Sequence, residues 1–319
     1  MMLPLLLLAA QAAPQATPKS GPPDPAEVRF DRCVDLAAND AVASAKIVTM
    51  AQSIPAKLAI CVAFHYVEAR LPYLSRVAAE FPALADEVDV TIVTNTHDDE
   101  PRARILAQLP TGNARCSIYA PVGLGHPYLL TWSHFAVMRA RVEDPSFTHF
   151  LYMEDDLLVR PVTIAYWLEA EATLRRFGLI PSILRVEQVP PRPEWYSTDQ
   201  VEPVSIERAS RVAGSQAIGY LNLPNPYQGL YLLDRRLMTE HLAGPSSSPD
   251  FGPWYIREKA AQGLTFANIP YGFKSRNVVP FDVAAKSIPD VCFVHHLPNT
   301  YALDPKSKFG KVPVSGLLY

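Results

Sequence analysis

The stretch HFLYMEDDLLVR, residues 149–160, runs four largely apolar residues into three consecutive carboxylates, Glu154, Asp155 and Asp156, before apolar residues resume. An apolar run of this length reads as a buried strand. In a parallel α/β sheet the carboxyl ends of the strands open onto the ligand crevice, where charge is solvated or coordinated instead of buried. If the chain stays extended through the triplet, Glu154 and Asp156 point to one side and Asp155 to the other. Two carboxylates on one side repel each other unless a cation sits between them. A hard divalent ion such as Mg²⁺ or Mn²⁺ takes oxygen ligands and keeps positions open for phosphates. The plainer alternative is a set of solvated turn acids.

Upstream, the punctuation is that of alternating strands and helices. LAICVAF (58–64) reads as a strand buried on both faces, followed by helical spacing in EARLPYLSRVAAEF (68–81). VDVTIVT (88–94), a short helix in EPRARILAQL (100–109) and a strand in ARCSIYAPV (114–122) continue the alternation of a parallel sheet with crossover helices. In GLGHPYLLTWSHFAVMRARVED (123–144), Pro127 suits a first helical position, and Leu130, His134, Val137, Met138 and Arg141 share one side.

Downstream, TIAYWLEAEATLRRFG (163–178) predicts a helix stopped by Gly178, and PSILRVEQV (181–189) a strand. Regularity fails from Pro190 to Pro226, as in a functional or mobile segment. YQGLYLLDRRLMTEHL (227–242) reads as strand then helix, GPWYIREKAAQGL (252–264) as a helix ended by Gly263, and VCFVHHLPNTYA (291–302) as a late strand. That strand ends in His295 and His296, and imidazole is an acceptable further ligand for Mn²⁺. Adjacent strand residues face opposite ways, so only one of the pair can reach a metal beside the triplet.

Composition is that of a globular chain, with 49% hydrophobic and 19% charged residues in 319. A net charge of -3 supplies no basic field for nucleic acid or an anionic membrane. No apolar run reaches the roughly 18 residues of a membrane span. The start, MMLPLLLLAAQAAPQA, has the apolar core and small residues of a secretory signal but no Lys or Arg ahead of them, so a cleaved signal over residues 1–20 and a start without one both stay open. The first implies a secretory or periplasmic location, the second a cytoplasmic one. Residues 21–56 read as a Pro-rich linker and extension, and 57–319 as one domain with halves 57–160 and 161–319. The four cysteines, Cys33, Cys61, Cys116 and Cys292, show no C-x-x-C spacing for zinc.

The βαβ start, FLYMEDD at a strand end, a helix before GLTFANIP and a late strand ending in histidine together resemble the GT-A glycosyltransferases over roughly residues 57–300. The resemblance implies a mixed, mainly parallel α/β sheet with a Rossmann-like N-terminal half and helices on both faces. It implies transfer of a sugar from a nucleotide-diphosphate sugar to a glycan or other hydroxyl acceptor, with Mn²⁺ or Mg²⁺ held by a D-x-D triplet. Here Glu154 replaces the first Asp, so it contacts the ribose or reaches the metal through water, with Asp155 beside it on the donor. Asp156 is the expected metal ligand, joined by His295 or His296. AFHYVEARLPYL (63–74) is similar to the first strand and helix of glycosyltransferase family 2, placing His65 near the nucleotide. TNTHDD (94–99) stands where such enzymes recognise the base, which makes Asn95 and Asp98 candidates, with a helix-capping turn the alternative. In SSSPDFGPWYIREKAAQGLTFANIP (246–270), Asp250 is the nearest match to the catalytic base of inverting members and Glu258 the second. Lys274 and Arg276 are candidates for the phosphates, and Trp195, Tyr196, Trp254 and Tyr255 for stacking on an acceptor sugar. Two rivals stand beside this reading. A nucleotidyltransferase normally carries a Gly-rich basic loop that AFHYVEARL lacks, and a non-catalytic carbohydrate-binding protein would keep the scaffold without turnover.

Overall fold

The computed structural model describes residues 54–319. The expected signal and nearly all of the expected linker, with Cys33, lie outside the described residues. The first half alternates as read: β1 (Lys57–Phe64), α1 (Leu71–Ala78), β2 (Glu87–Thr94), α2 (Asp99–Leu106), β3 (Ala114–Tyr119), α3 (His134–Glu143) and β4 (His149–Glu154). A tight turn then leads into β5 (Leu157–Leu158) and α4 (Pro161–Leu174). The second half is more broken: β6 (Ile180–Pro181), β7 (Leu184–Gln188), β8 (Trp195–Ser197), β9 (Arg211–Ala213), β10 (Ile218–Leu221), β11 (Leu230–Asp234), α5 (Arg235–Ala243), α6 (Ile256–Lys259), β12 (Asn277–Asp282), β13 (Phe293–His296), α7 (Thr300–Leu303) and β14 (Val312–Pro313).

The main sheet has the order β11-β4-β1-β2-β3. β1 lies parallel to both β2 and β4, and only the edge strand β11 is antiparallel. From β1 the chain builds outward through β2 to β3, then returns to place β4 on the other side of β1, so the direction of winding reverses between β1 and β4. Open α/β sheets place ligands outside the carboxyl ends at such a reversal. β1 is buried along nearly its whole length, as a strand covered on both faces must be. α3 packs on β1, and α5 on β4 and β11. Among the described residues no helix is long and apolar enough to cross a membrane.

Two smaller sheets flank this one, β6-β12-β10-β9 and β14-β8-β7-β13-β5. The second positions the site. β13 pairs antiparallel with β5, placing His296 opposite Leu157, and parallel with β7, placing His295 opposite Val186. The Leu297 N–H donates to the Asp156 carbonyl at 2.9 Å, tying the late strand to the acidic turn.

Three sequence expectations change. The chain does not stay extended through the acids: β4 ends at Glu154, and Asp155 and Asp156 occupy the turn before β5. The helix expected over 252–264 is the single turn α6, with Gly263 in the left-handed region at φ +52°. A Cβ on Gly263 would stand 3.0 Å from that of Tyr231, so the backbone closes on β11 there instead of continuing a helix. The segment beginning at Pro127 is a 3₁₀ turn to Ser133 before α3, though Leu130, His134 and Met138 are buried together as its spacing predicts.

Candidate functional site

The acidic turn is clasped by Arg70, a residue of the short 3₁₀ turn Glu68–Arg70 that follows β1. Its Nε and Nη2 donate to Asp155 Oδ2 and Oδ1 at 2.8 and 2.6 Å, and Nη2 also donates to Asp156 Oδ2 at 2.8 Å. The planar guanidinium matches the carboxylate in a two-pronged pair, a strong form of charge-assisted bond. Both aspartates are buried, at 4% and 5% exposure. On the far side, His296 Nε2 stands 3.5 Å from Asp156 Oδ2 while its Nδ1 meets Glu187 Oε1 at 2.5 Å.

Burial raises the Asp155 carboxyl to about 7, with the Asp156 charge adding to it and Arg70 opposing. Burial also penalises the charged form of Asp156, but the hydrogen bonds and charges of His296 and Arg70 outweigh it and hold that carboxyl well below the usual range. For His296, desolvation favours the neutral ring, yet Asp156 and Glu187 prevail and raise it to about 9, making it an imidazolium at neutral pH.

Glu154 sits one step away, where Gly229 carries its backbone past at φ +68°. A Cβ there would meet Leu157 Cδ1 at 2.9 Å and Glu154 Oε2 at 3.3 Å. Glu154 Oε1 accepts from the Tyr227 hydroxyl at 3.0 Å, and Oε2 lies 3.8 Å from Arg185 Nη1. Arg185 is itself paired with Asp199 at 3.1 and 2.7 Å and lies over the Tyr227 ring at 4.8 Å. Burial, then the charge of Asp156, pushes the Glu154 carboxyl up, against Arg185 and Arg257.

The structure thus unites Glu154, Asp155, Asp156 and His296. His295 is turned away, its Nε2–H donating to Asn299 Oδ1 at 2.9 Å with Trp195 against its ring, as the alternation along a strand requires. His65 and Asn95 follow β1 and β2 at the same sheet edge, and Asn95 Oδ1 accepts from the Tyr66 N–H at 2.7 Å. Asp98 is exposed ahead of α2 and makes no side-chain cap. Glu258 lies close enough to bear on Tyr227, and its neighbour Arg257 on Glu154. Glu258 Oε1 pairs with Arg257 at 2.7 Å, whereas its Oε2 is buried without a hydrogen-bond partner. Asp250 lies exposed in a turn, with its backbone N–H on Ser248 Oγ, and is not drawn into this cluster. Arg276 is not available to phosphates: it is buried, paired with Glu240 Oε1 at 2.6 Å, and donates to the Gly178 carbonyl at 2.8 Å.

The residues do not fit Mn²⁺ or Mg²⁺ as they stand. His296 already has Glu187 on one ring nitrogen and Asp156 near the other, and His295 faces elsewhere. Arg70 already bridges the two aspartates, leaving Asp156 Oδ1 as the one buried side-chain oxygen of the turn without a partner. Among the described residues no three His, Cys, Asp or Glu side chains converge as a metal-holding group. The cation between the carboxylates is the protein's own.

Arg70, Arg185, Glu187 and Tyr227 escaped the sequence reading. Arg185 and Glu187 carried a signal, because two charged residues at alternate positions of an otherwise apolar strand mark one polar face. Arg70 carried none, since its partners lie 85 and 86 residues away.

Beyond Tyr227 lies a cleft of about 300 Å³, lined by Leu223–Pro226, Pro253, Trp254, Phe266, Lys274 and Ser275. The Tyr227 and Trp254 rings meet edge to face at 5.0 Å, and Trp254 meets Phe266 likewise at 5.1 Å.

No family model matches the chain, and no curated protein does. Two solved structures of LgtC are similar to it, one of an active-site mutant and one of the galactosyltransferase in complex with donor and acceptor sugar analogs. Each is 16% identical, with a TM-score of 0.33, over 65% of this chain and 69% and 70% of the respective LgtC chains.

Proposed function

We propose that the chain is a glycosyltransferase that takes a nucleotide-diphosphate sugar at the carboxyl ends of β1, β2 and β4. The observation that carries this reading is the placement of the Glu154-Asp155-Asp156 turn at the point where the sheet reverses its winding, with His65 and Asn95 on the same edge. On this reading His65 and Asn95 face the nucleoside. The half-buried Arg70, held in place by the aspartates, presents guanidinium charge toward the diphosphate, which gains negative charge as it departs.

Glu258 supports the role of base better than Asp250. Its partnerless Oε2 is an acceptor for the proton that an acceptor hydroxyl must lose as it attacks the anomeric carbon. Trp254 and Phe266 offer apolar faces to the acceptor's ring.

The test is thermal unfolding with UDP, GDP, CDP and ADP, each with and without Mn²⁺, on the wild type and Asp156→Asn. A ligand at a hundred times its Kd adds ~2.7 kcal/mol to the folded state, enough for a visible shift. Stabilisation by one nucleotide that is lost in the variant is the expected result, and the Mn²⁺ arm reads metal dependence directly. Absence of stabilisation by every nucleotide under both conditions would overturn the reading. The pairing of every acid in the turn favours a second reading, saccharide binding without transfer, which product formation distinguishes.

A further inference from the structure

We propose that the cleft beyond Tyr227 binds a saccharide carrying an anionic group, a carboxylate or a phosphate, with Lys274 as its counter-ion. Its role as the acceptor subsite rests on the transferase reading above; its ligand chemistry does not.

Three features argue for it. The cleft has a volume of about 300 Å³, of the size a sugar unit fills. Its walls join two aromatic side chains, Trp254 and Phe266, packed edge to face on one another, to prolines 224, 226 and 253. A pyranose presents an apolar face of C–H bonds that suits such a wall.

The third feature is charge. Lys274 is the one ionisable side chain lining the cleft. Among the described residues no ion pair involves it, and its backbone N–H donates to Asn222 Oδ1 at 3.0 Å. Asn222 also donates to Ser275 Oγ and to the carbonyls of Ser275 and Asn277, so the backbone carrying Lys274 is fixed while its ammonium group stays free. Every neighbouring arginine with a comparable position has an acid of its own: Arg185 has Asp199, Arg257 has Glu258, Arg276 has Glu240. A lone cation on the rim of an aromatic cleft selects an anion over a neutral sugar by complementarity.

The experiment is isothermal titration of the full chain with D-glucuronate, D-glucose 6-phosphate and D-glucose, repeated with Lys274→Gln and Lys274→Arg. Lys274 is exposed, so neither substitution threatens the fold. One or both anions should bind about five- to tenfold more tightly than glucose, as a charge-assisted bond in a half-sheltered site allows. A preference for one anion alone identifies the source. The preference should vanish in Lys274→Gln and persist in Lys274→Arg. Equal binding of all three sugars, no binding of any, or an anion preference that survives Lys274→Gln would overturn the proposal. The nucleotide-dependent melting shift is read separately, so loss of either result leaves the other standing.

Discussion

Arg70 does at the acidic turn what a bound cation was expected to do, and its removal should show how much the fold leans on it. Arg70→Ala leaves Asp155 and Asp156 buried, adjacent and unpaired on that side. Because the guanidinium is itself partly exposed, the cost should fall below that of breaking a fully buried pair, at about 2–3 kcal/mol by chemical denaturation. Arg70→Lys should recover only part of it, since an ammonium cannot span both oxygens of Asp155. His296 makes the site sensitive to pH. Its folded value is raised to about 9, so the stability it contributes is fully present below its unfolded value near 6.5 and is lost as pH rises through 9. Asp155 acts in the same direction at lower pH: raised to about 7, it favours folding while protonated and ceases to as pH climbs from about 4 to 7. Urea midpoints should therefore fall between pH 6.5 and 9 in the wild type, and His296→Gln should flatten that limb. A limb unchanged in the variant would assign the titration elsewhere.

The elements fix these residues through a few close approaches. Gly229 lets the chain pass Glu154 with a left-handed backbone, so Gly229→Ala meets both an unfavourable φ and contact at 2.9 Å with Leu157. A loss of about 1–3 kcal/mol is expected, and nucleotide stabilisation should weaken with it because Glu154 shifts. Between α3 and β11, the buried His134 Nε2 and the Tyr231 hydroxyl stand 2.7 Å apart, and burial lowers the His134 ring to about 3 so that it stays neutral. Tyr231→Phe would strand that nitrogen, at about 1–3 kcal/mol in the same denaturation measurement. Legibility in the sequence divides along this scale. β1, β2 and β4 were plain because strands buried on both faces must be continuously apolar. β8, β9 and β10 were not, since strands of three or four residues within a Pro-rich segment bear no period long enough to read. α6 is shorter than its spacing predicts, because the buried residues Ala260, Ala261 and Leu264 follow a turn that leaves the helix at Lys259, with Gly263 in the left-handed region.

At the scale of the whole molecule, the α/β architecture with its mainly parallel central sheet follows from alternation alone, and the acidic turn falls at the strand end that HFLYMEDDLLVR predicted. What the linear pattern lacked was the identity of the counter-charge. A triplet of acids announces that a cation is required, but a guanidinium arriving from the loop after β1 satisfies that requirement as well as a metal does, and only the fold shows which arrives. His295 and His296 teach the same lesson. Period-two alternation said that one would reach the acids, while the pairing of β13 with β7 determined that it would meet Glu187 as well and so be protonated.

Tyr227 belongs to both halves of the region: its hydroxyl holds Glu154, and its ring forms the wall against which Trp254 rests. A side chain that touches Glu154 at one end and Trp254, a cleft-lining residue, at the other would couple the occupancies of the two proposed sites. Whatever factor a nucleotide applies to the affinity for a saccharide in the cleft, the saccharide must apply to the nucleotide. Titrating D-glucuronate with and without the stabilising nucleotide should thus give two different affinities, and Tyr227→Phe, which frees Glu154 but keeps the ring, should bring them together.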